Sequence, residues 1–235
     1  LLNEVVSHIY LNDLNYPLFC FWDSVLNNTE DLCKKIHNVK LTVNSWERHR
    51  HRVINSSEYN NLDVGFSMLF LNRTNRSGMI RGGMIGGYEQ AGKWKIDARF
   101  YKKTLIKRIE QIANKRASIS IYNMDAIFFI NTVVTGEYEK ALVYIDPPYY
   151  RKGQRLYDNH YSSDDHQEIS KKIVNLNEHW VISYDDDPNI SEFYRGYRQL
   201  QYKLNYSSGK HYKGAELMVY SKNLLLPEPN NPVRK

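Results

Sequence analysis

Two unbroken apolar runs, ALVYI at 141–145 and HWVIS at 179–183, stand on either side of a segment with helical periodicity. A strand that is apolar at every position, rather than at alternate ones, is the kind a parallel sheet buries on both faces. The intervening segment, SSDDHQEISKKIVNL at 162–176, carries Ser162 and Asp165 in capping-box spacing and reads as a helix. Strand, helix and strand of this kind require a crossover connection, which places the chain in the α/β class. The pattern extends in both directions. Residues 5–11 read as a strand ending at Asn12-Asp13. A helix over about 17–36 comes next, with Phe19, Trp22, Val25 and Leu26 at helical spacing. TLIKRIEQIANK (104–115) predicts a helix with Leu105, Ile109 and Ile112 on one face, and SISIY (118–122) a short strand. YRQLQYKLNY (197–206) and ELMVYSK (216–222) read as an antiparallel pair, separated by a turn at Ser207-Ser208-Gly209. The Pro-rich tail from 226 is expected to fray. The sum is a mostly parallel sheet with an antiparallel C-terminal strand.

Charge is distributed unevenly along the 235 residues. The net charge is +6, yet the segment from Glu47 to Arg116 alone holds 15 Lys and Arg against 6 Asp and Glu. One contiguous stretch therefore carries more than the whole positive excess. Such a stretch is either a solvated basic surface or a phosphate-binding one, since neutralising a polyanion releases its counterions. Within it, NRTNRSGMIRGGMIGGYEQAG is rich in Gly, Asn and Arg and is expected to be looped. RHRH (48–51) reads as basic surface. The two cysteines, Cys20 and Cys33, have no CxxC partner, so neither a disulfide framework nor a zinc site is indicated; Cys20, in LFCFW, is expected in the core. No metal requirement, secretory signal or membrane-crossing stretch is visible.

In open α/β sheets, ligands bind outside the carboxyl ends of the strands. Asp13, Asp125 and Asp146 each come after such an end, and this topology is expected to gather them along one edge. The lesser alternative for Asp13 and Asp125 is a helix cap or loop acid. SYDDDP (183–188) reads mainly as a strand-to-helix loop whose acids cap a helix near Asn189, with a site role for Asp185 as the lesser alternative. Asp146 differs because Pro147, Pro148 and Tyr149 come directly after it. The prolines fix the backbone and leave carbonyls without competing local N–H donors. A carboxylate and a rigid carbonyl side by side suit an amino group with two hydrogens, and Tyr149 offers a flat face for an aromatic ring. An exocyclic amine on a planar base fits. Two acceptors pulling on its hydrogens favour a tetrahedral nitrogen whose lone pair can attack a strong electrophile such as a sulfonium methyl. If that base lies in a duplex, it must be flipped out.

DPPY after an apolar strand resembles the catalytic motif of amino-group methyltransferases that use S-adenosylmethionine. Further segments are similar to the Dam-like, D12-class DNA adenine N6-methyltransferases, in the family's order over nearly the whole chain: YLNDLNYPLFCFWDSV, LNRTNRSGMIRGG, YNMDAIFFI, VISYDDDPNISEFYRGY and KGAELMVYS. The resemblance implies a Rossmann-like methyltransferase sheet with an inserted basic target-recognition region. It implies a partition into 1–43 (N-terminal part of the core), 44–116 (DNA binding and target recognition), 117–228 (catalytic core with DPPY) and 229–235 (tail). It further implies that Asp146 and the Pro147 carbonyl hold the adenine N6 amine, that Pro148 shapes the loop and that Tyr149 stacks on the flipped base. Asp13 would accept from the cofactor ribose, while Met124 and Asp125 would meet the cofactor adenine. Arg73, Arg76, Arg81, Lys93, Lys95, Arg99 and Lys102 would lie at double-stranded DNA.

The family's Phe-x-Gly-x-Gly cofactor loop and its Lys-rich N-terminal motif have no counterpart here, so a few dozen further N-terminal residues are expected. Where many Dam-like enzymes carry Phe-Asn-Val-Pro-x-Gly, this chain has WKIDAR (94–99), which points to a different target sequence. The setting implied is a bacterial, phage or plasmid gene and a cytoplasmic enzyme, with a cognate restriction endonuclease or a defence-system component as a possible partner. Two other readings use the same residues: a methyltransferase-fold DNA-binding module that has lost catalysis, and an amine methylator acting on RNA or on protein glutamine.

Overall fold

The structure is a computed structural model, and it describes residues 1–3, 5–135, 140–150, 161–206, 212–222 and 224–225. The expected turn at 207–209 and the expected frayed tail from 226 lie outside the described residues. Two compact units divide the chain, Leu1–Met124 and Asp125–Lys235.

The first unit is mainly helical. Strand β1 (Ile9–Asn12) pairs in parallel with β2 (Ile119–Tyr122), with Ile9 opposite Ile119 and Asn12 opposite Tyr122. Between them run α1 (Tyr16–Asn27), α2 (Thr29–Asn38), α3 (Val43–Ile54), α4 (Asn61–Thr74) and α5 (Lys102–Ala113). The single helix expected over 17–36 is thus two. Asn28 leaves helical geometry (φ −132°, ψ 36°), and the Asn27-Asn28 pair favours a break because short amide side chains compete for backbone partners. Asn15 opens α1 by accepting from the Leu18 N–H at 3.0 Å. Helix α4 is the centre of this unit: its run from Val64 to Leu71 is buried all round, as an apolar-all-round helix must be. Gly65 lets it pass close to α1, since a Cβ there would stand 2.3 Å from the Cys20 carbonyl oxygen. Cys20 is in the core, as its apolar surroundings suggest. Val25, Leu32, Ile36, Trp46, Phe66, Phe70, Phe100 and Ile109 complete one core, shared by helices on both sides of residue 43.

One residue of RHRH departs from the expected basic surface. Arg48, Arg50 and His51 are exposed, but His49 is buried. Helical spacing puts it one turn after Trp46, and its ring packs against Phe66 and Phe70 (centroids 5.0 and 4.2 Å) with Nδ1 2.9 Å from the Ser67 hydroxyl. Burial, reinforced by nearby Arg52, Arg48 and Lys35, lowers its pKa to about 3, so it sits in the fold as a neutral ring.

The second unit holds a four-stranded sheet in the order β3-β4-β6-β5, made of β3 (Leu142–Ile145), β4 (His179–Asp185), β5 (Arg198–Tyr206) and β6 (Tyr212–Tyr220). β3 and β4 are parallel; β6 runs antiparallel to both β4 and β5. The helical elements are α6 (Ala126–Phe129), which continues into a π-helical turn over Ile130–Val134, then α7 (Ser163–Val174) and α8 (Pro188–Phe193). Both halves of the expected Ser162–Asp165 capping box are formed. Trp180, Ile182, Tyr184, Leu217 and Val219 face the helices with Ile169, Ile173 and Ile190. β4 is buried as its composition predicts, from Trp180 to Asp185. β3 is not: Leu142 and Tyr144 are each 60% exposed. β3 is an edge strand among the described strands, so only its Val143 and Ile145 side reaches the core.

Candidate active site

At the end of β3, alternation decides which groups meet. Tyr144 and Asp146 project from one face of the strand, and the parallel register with β4 brings Ser183 to that face. The Ser183 hydroxyl donates to Asp146 Oδ1 at 2.9 Å. A hydroxyl has one proton to give, so its 2.9 Å contact with the Tyr144 hydroxyl has tyrosine as donor. A short relay results, from Tyr144 to Ser183 to Asp146. It fixes one carboxylate oxygen and leaves Oδ2 with no hydrogen bond from a described residue. Part of Asp146 is open to solvent, yet neighbouring atoms strip water from the carboxyl. That desolvation raises its pKa above the usual carboxylate value; the Ser183 hydrogen bond pulls it back and the negative charge of Glu216 adds to the rise.

Two further acids hold Tyr149 and Tyr150. Asp185 and Glu216 are register partners across β4 and β6, and both are buried. The Tyr150 N–H donates to Asp185 Oδ1 at 2.8 Å, so Asp185 grips the backbone just after Tyr149. The Tyr149 hydroxyl donates to Glu216 Oε1 at 3.0 Å, and the Tyr202 hydroxyl donates to the other oxygen of the same carboxylate. Tyr149 therefore has its ring orientation set from its far end. Tyr150 packs beside the buried ring of His166 (centroids 5.1 Å) and donates to Ser163 at the start of α7. Ser183 and Glu216 escaped sequence reasoning as site residues, and the sequence offers a site role for Asp185 only as the lesser alternative. The available signal was period two: Ser183 and Asp185 alternate with Ile182 and Tyr184, which marks a polar side on a strand otherwise built for burial. Asp187 does what its position suggests, capping α8 by accepting from the Asn189 N–H at 2.8 Å.

The residues expected at a cofactor divide between the units. Asp13 and Met124 lie in the first, at the carboxyl ends of β1 and β2. The Asn12 side chain extends that ladder: it donates to the Met124 carbonyl and accepts from the Met124 N–H, both at 3.0 Å. Asp13 does not cap α1. Its Oδ1 accepts from the Asn15 N–H at 2.8 Å, its backbone carbonyl accepts from the Asn123 amide at 2.7 Å, and desolvation raises its pKa. Its Oδ2 takes no hydrogen bond from a described residue. Asp125, in the second unit, is the N-cap of α6 and accepts from the Ile127 and Phe128 N–H groups.

The seven basic residues also divide. Arg73, on α4, donates from Nε and Nη2 to the Arg99 carbonyl at 3.0 and 2.9 Å; Lys102 donates to the His37 and Val39 carbonyls at the end of α2, both at 2.7 Å. Both cations tie the fold together. Arg76, Arg81, Lys93 and Lys95 are exposed on the loops after α4, and Arg99 is half-buried.

A family model for D12 class N6 adenine-specific DNA methyltransferases matches residues 2–208. The chain belongs to this family. The match spans both units and takes in every site residue described here except Glu216. No curated protein gives a match to the chain. For a D12-class methyltransferase the implied substrate is DNA, the implied reaction is methylation of adenine at N6, and the methyl donor is generally S-adenosylmethionine. The mixed α/β architecture accords with a methyltransferase fold. Among the described residues, no group of His, Cys, Asp and Glu is placed to hold a metal ion, and no helix is long and apolar enough to cross a membrane.

Proposed function

We propose that this D12-class chain transfers a methyl group from S-adenosylmethionine to N6 of an adenine flipped out of duplex DNA. The observation that carries this reading is the state of Asp146: one oxygen anchored by Ser183, the other with no hydrogen bond from a described residue, in a loop whose backbone is gripped by Asp185. Asp146 Oδ2 and the Pro147 carbonyl accept the two amine hydrogens, and Pro148 holds the loop shape. Tyr149, its hydroxyl tethered to Glu216, stacks on the base. Acceptors already fixed in place need no reorganisation as charge develops on nitrogen. The proton shed by the amine goes to Asp146, whose raised pKa makes it a better acceptor than an ordinary carboxylate.

S-adenosylmethionine supplies an electrophilic methyl group when bound. Of the residues assigned to it, Asp13 fits a ribose hydroxyl through its Oδ2, and Met124 and Asp125 are assigned to the adenine side. A Rossmann-like arrangement with residues 44–116 as the target-recognition region belongs to the same reading. It is supported by the parallel β3–β4 pair, the antiparallel β6, and the exposed cations at Arg76, Arg81, Lys93 and Lys95. These contact phosphate, with Arg99 beside them; Arg73 and Lys102 act by holding the loops in place.

The test is methyl transfer from labelled S-adenosylmethionine to unmethylated plasmid by the complete encoded protein, beside Asp146→Ala. Label incorporated by the parent protein and lost in the variant is the expected result. Duplex DNA bound by both proteins, with no label in either, would instead favour a binding module without catalysis.

A further inference from the structure

The segment between α4 and α5, residues 75–101, has almost no regular structure, yet it is held at many points. The buried Asn75 amide donates to the Met79 and Ile80 carbonyls at 2.8 and 2.9 Å and accepts from the Trp46 indole N–H at 2.6 Å. Farther along, the Gln90 amide donates to the Ile85 and Gly87 carbonyls at 2.9 and 2.6 Å and accepts from the Ile96 N–H at 2.9 Å. Gly86 has φ +84°, and a Cβ there would stand 3.0 Å from both Gln90 Nε2 and the Trp94 carbonyl oxygen. Met84, Ile96 and Phe100 anchor the segment in the core. Ordering an irregular segment this thoroughly costs conformational entropy at every residue, so its shape is specified.

Against that background the placement of Trp94 is informative. It stands between two buried anchors, in a fixed loop, and is 65% exposed. Tyr88 in the same segment is 59% exposed. The Lys93 ammonium lies 5.7 Å from the Trp94 ring centroid on one side, and Lys95 is the next residue along the chain. From Arg73 to Lys102 there are 7 Lys and Arg against 2 acids, Glu89 and Asp97. An exposed indole with a lysine ammonium beside it, in a positively charged loop, matches a ligand that is a flat ring joined to phosphates. We infer that Trp94 stacks on a nucleobase of the bound DNA, adding a base contact to a surface otherwise made for phosphate. This rests on the proposed DNA substrate. Phosphate contacts alone are indifferent to the bases, whereas a stacked indole is sensitive to whether a base is present and unstacked.

Duplex binding is measured with the complete protein by anisotropy across a salt series, together with tryptophan emission. Trp46 and Trp180 are buried and Trp22 is half-buried, so the change lost in Trp94→Phe reports Trp94. Expected are quenching by duplex that Trp94→Phe abolishes while keeping affinity, and an affinity loss of about 5- to 150-fold in Trp94→Leu with the salt slope unchanged. Lys95→Ala should instead lower that slope by about 0.9. Equal affinity in Trp94→Leu, or equal quenching by heparin, which carries charge without bases, would overturn the inference. Absence of duplex binding by the parent protein would overturn the DNA reading and this inference with it. Melting curves of the variants separate either result from misfolding.

Discussion

The strand ends of the second unit and the loops after α4 in the first solve opposite problems. Around Asp146 the side chains are tied to one another: Tyr144 to Ser183, Ser183 to Asp146, Tyr149 and Tyr202 to Glu216. On the proposed reading, what remains for a ligand is Asp146 Oδ2, the Pro147 carbonyl and the face of Tyr149. In residues 75–101 the polar side chains of Asn75 and Gln90 are spent on backbone carbonyls, while Arg76, Lys93, Lys95, Tyr88 and Trp94 are exposed. The first arrangement concentrates precision on a few atoms; the second spreads contact over many. A change at the first should therefore fall on turnover, and a change at the second on affinity or on loop stability.

The largest effect that sharpens this contrast is Asp146→Asn. It keeps the shape and removes an acceptor and a charge. Turnover should fall by about 10²–10³, as for loss of one preorganised electrostatic partner, with duplex affinity nearly unchanged. An equal loss of affinity would dissolve the contrast. Ser183→Ala comes next. A hydrogen bond to a charged group is worth roughly 1.5–3 kcal/mol, so a fall in kcat of about tenfold or more is expected. The sign of its pH effect is fixed too. On the proposed mechanism activity needs ionised Asp146 and declines as pH falls through its raised pKa; Ser183 holds that pKa down, so its removal moves the acid limb to higher pH. An unmoved acid limb in a pH–rate profile would show that Ser183 does not act through Asp146. The smallest effect is Arg73→Ala, where two hydrogen bonds to the Arg99 carbonyl are lost. A loss of about 1–2 kcal/mol in denaturant unfolding is expected, with a smaller change in the salt slope of binding than Lys95→Ala gives. A full unit of slope lost with stability intact would move Arg73 to the DNA.

Much of this was legible in the sequence. The Ser162 capping box, the antiparallel β5–β6 pair and the buried β4 arise from residue patterns that act locally. What escaped depends on register and packing. Glu216 lies 67 residues from Tyr149 and meets it only because β6 pairs with β4 in one register. His49 resembles a basic-surface residue until helical spacing sets it beside Phe66 and Phe70. Arg73 sits in an Arg-rich string, and nothing in that string marks it as the one whose guanidinium closes on the Arg99 carbonyl. Leu142 and Tyr144 satisfy the pattern of a doubly buried strand and are nonetheless exposed, because burial depends on neighbours that a strand's own composition does not specify.

The most direct measurement is the mass spectrum of nucleosides from duplex DNA incubated with the complete protein and S-adenosylmethionine. N6-methyldeoxyadenosine, formed with Asp146→Asn at an initial rate lower by about 10²–10³, is the expected result. Methylated cytosine, or methyladenine formed by the variant at the parent's rate, would contradict adenine amine chemistry at Asp146.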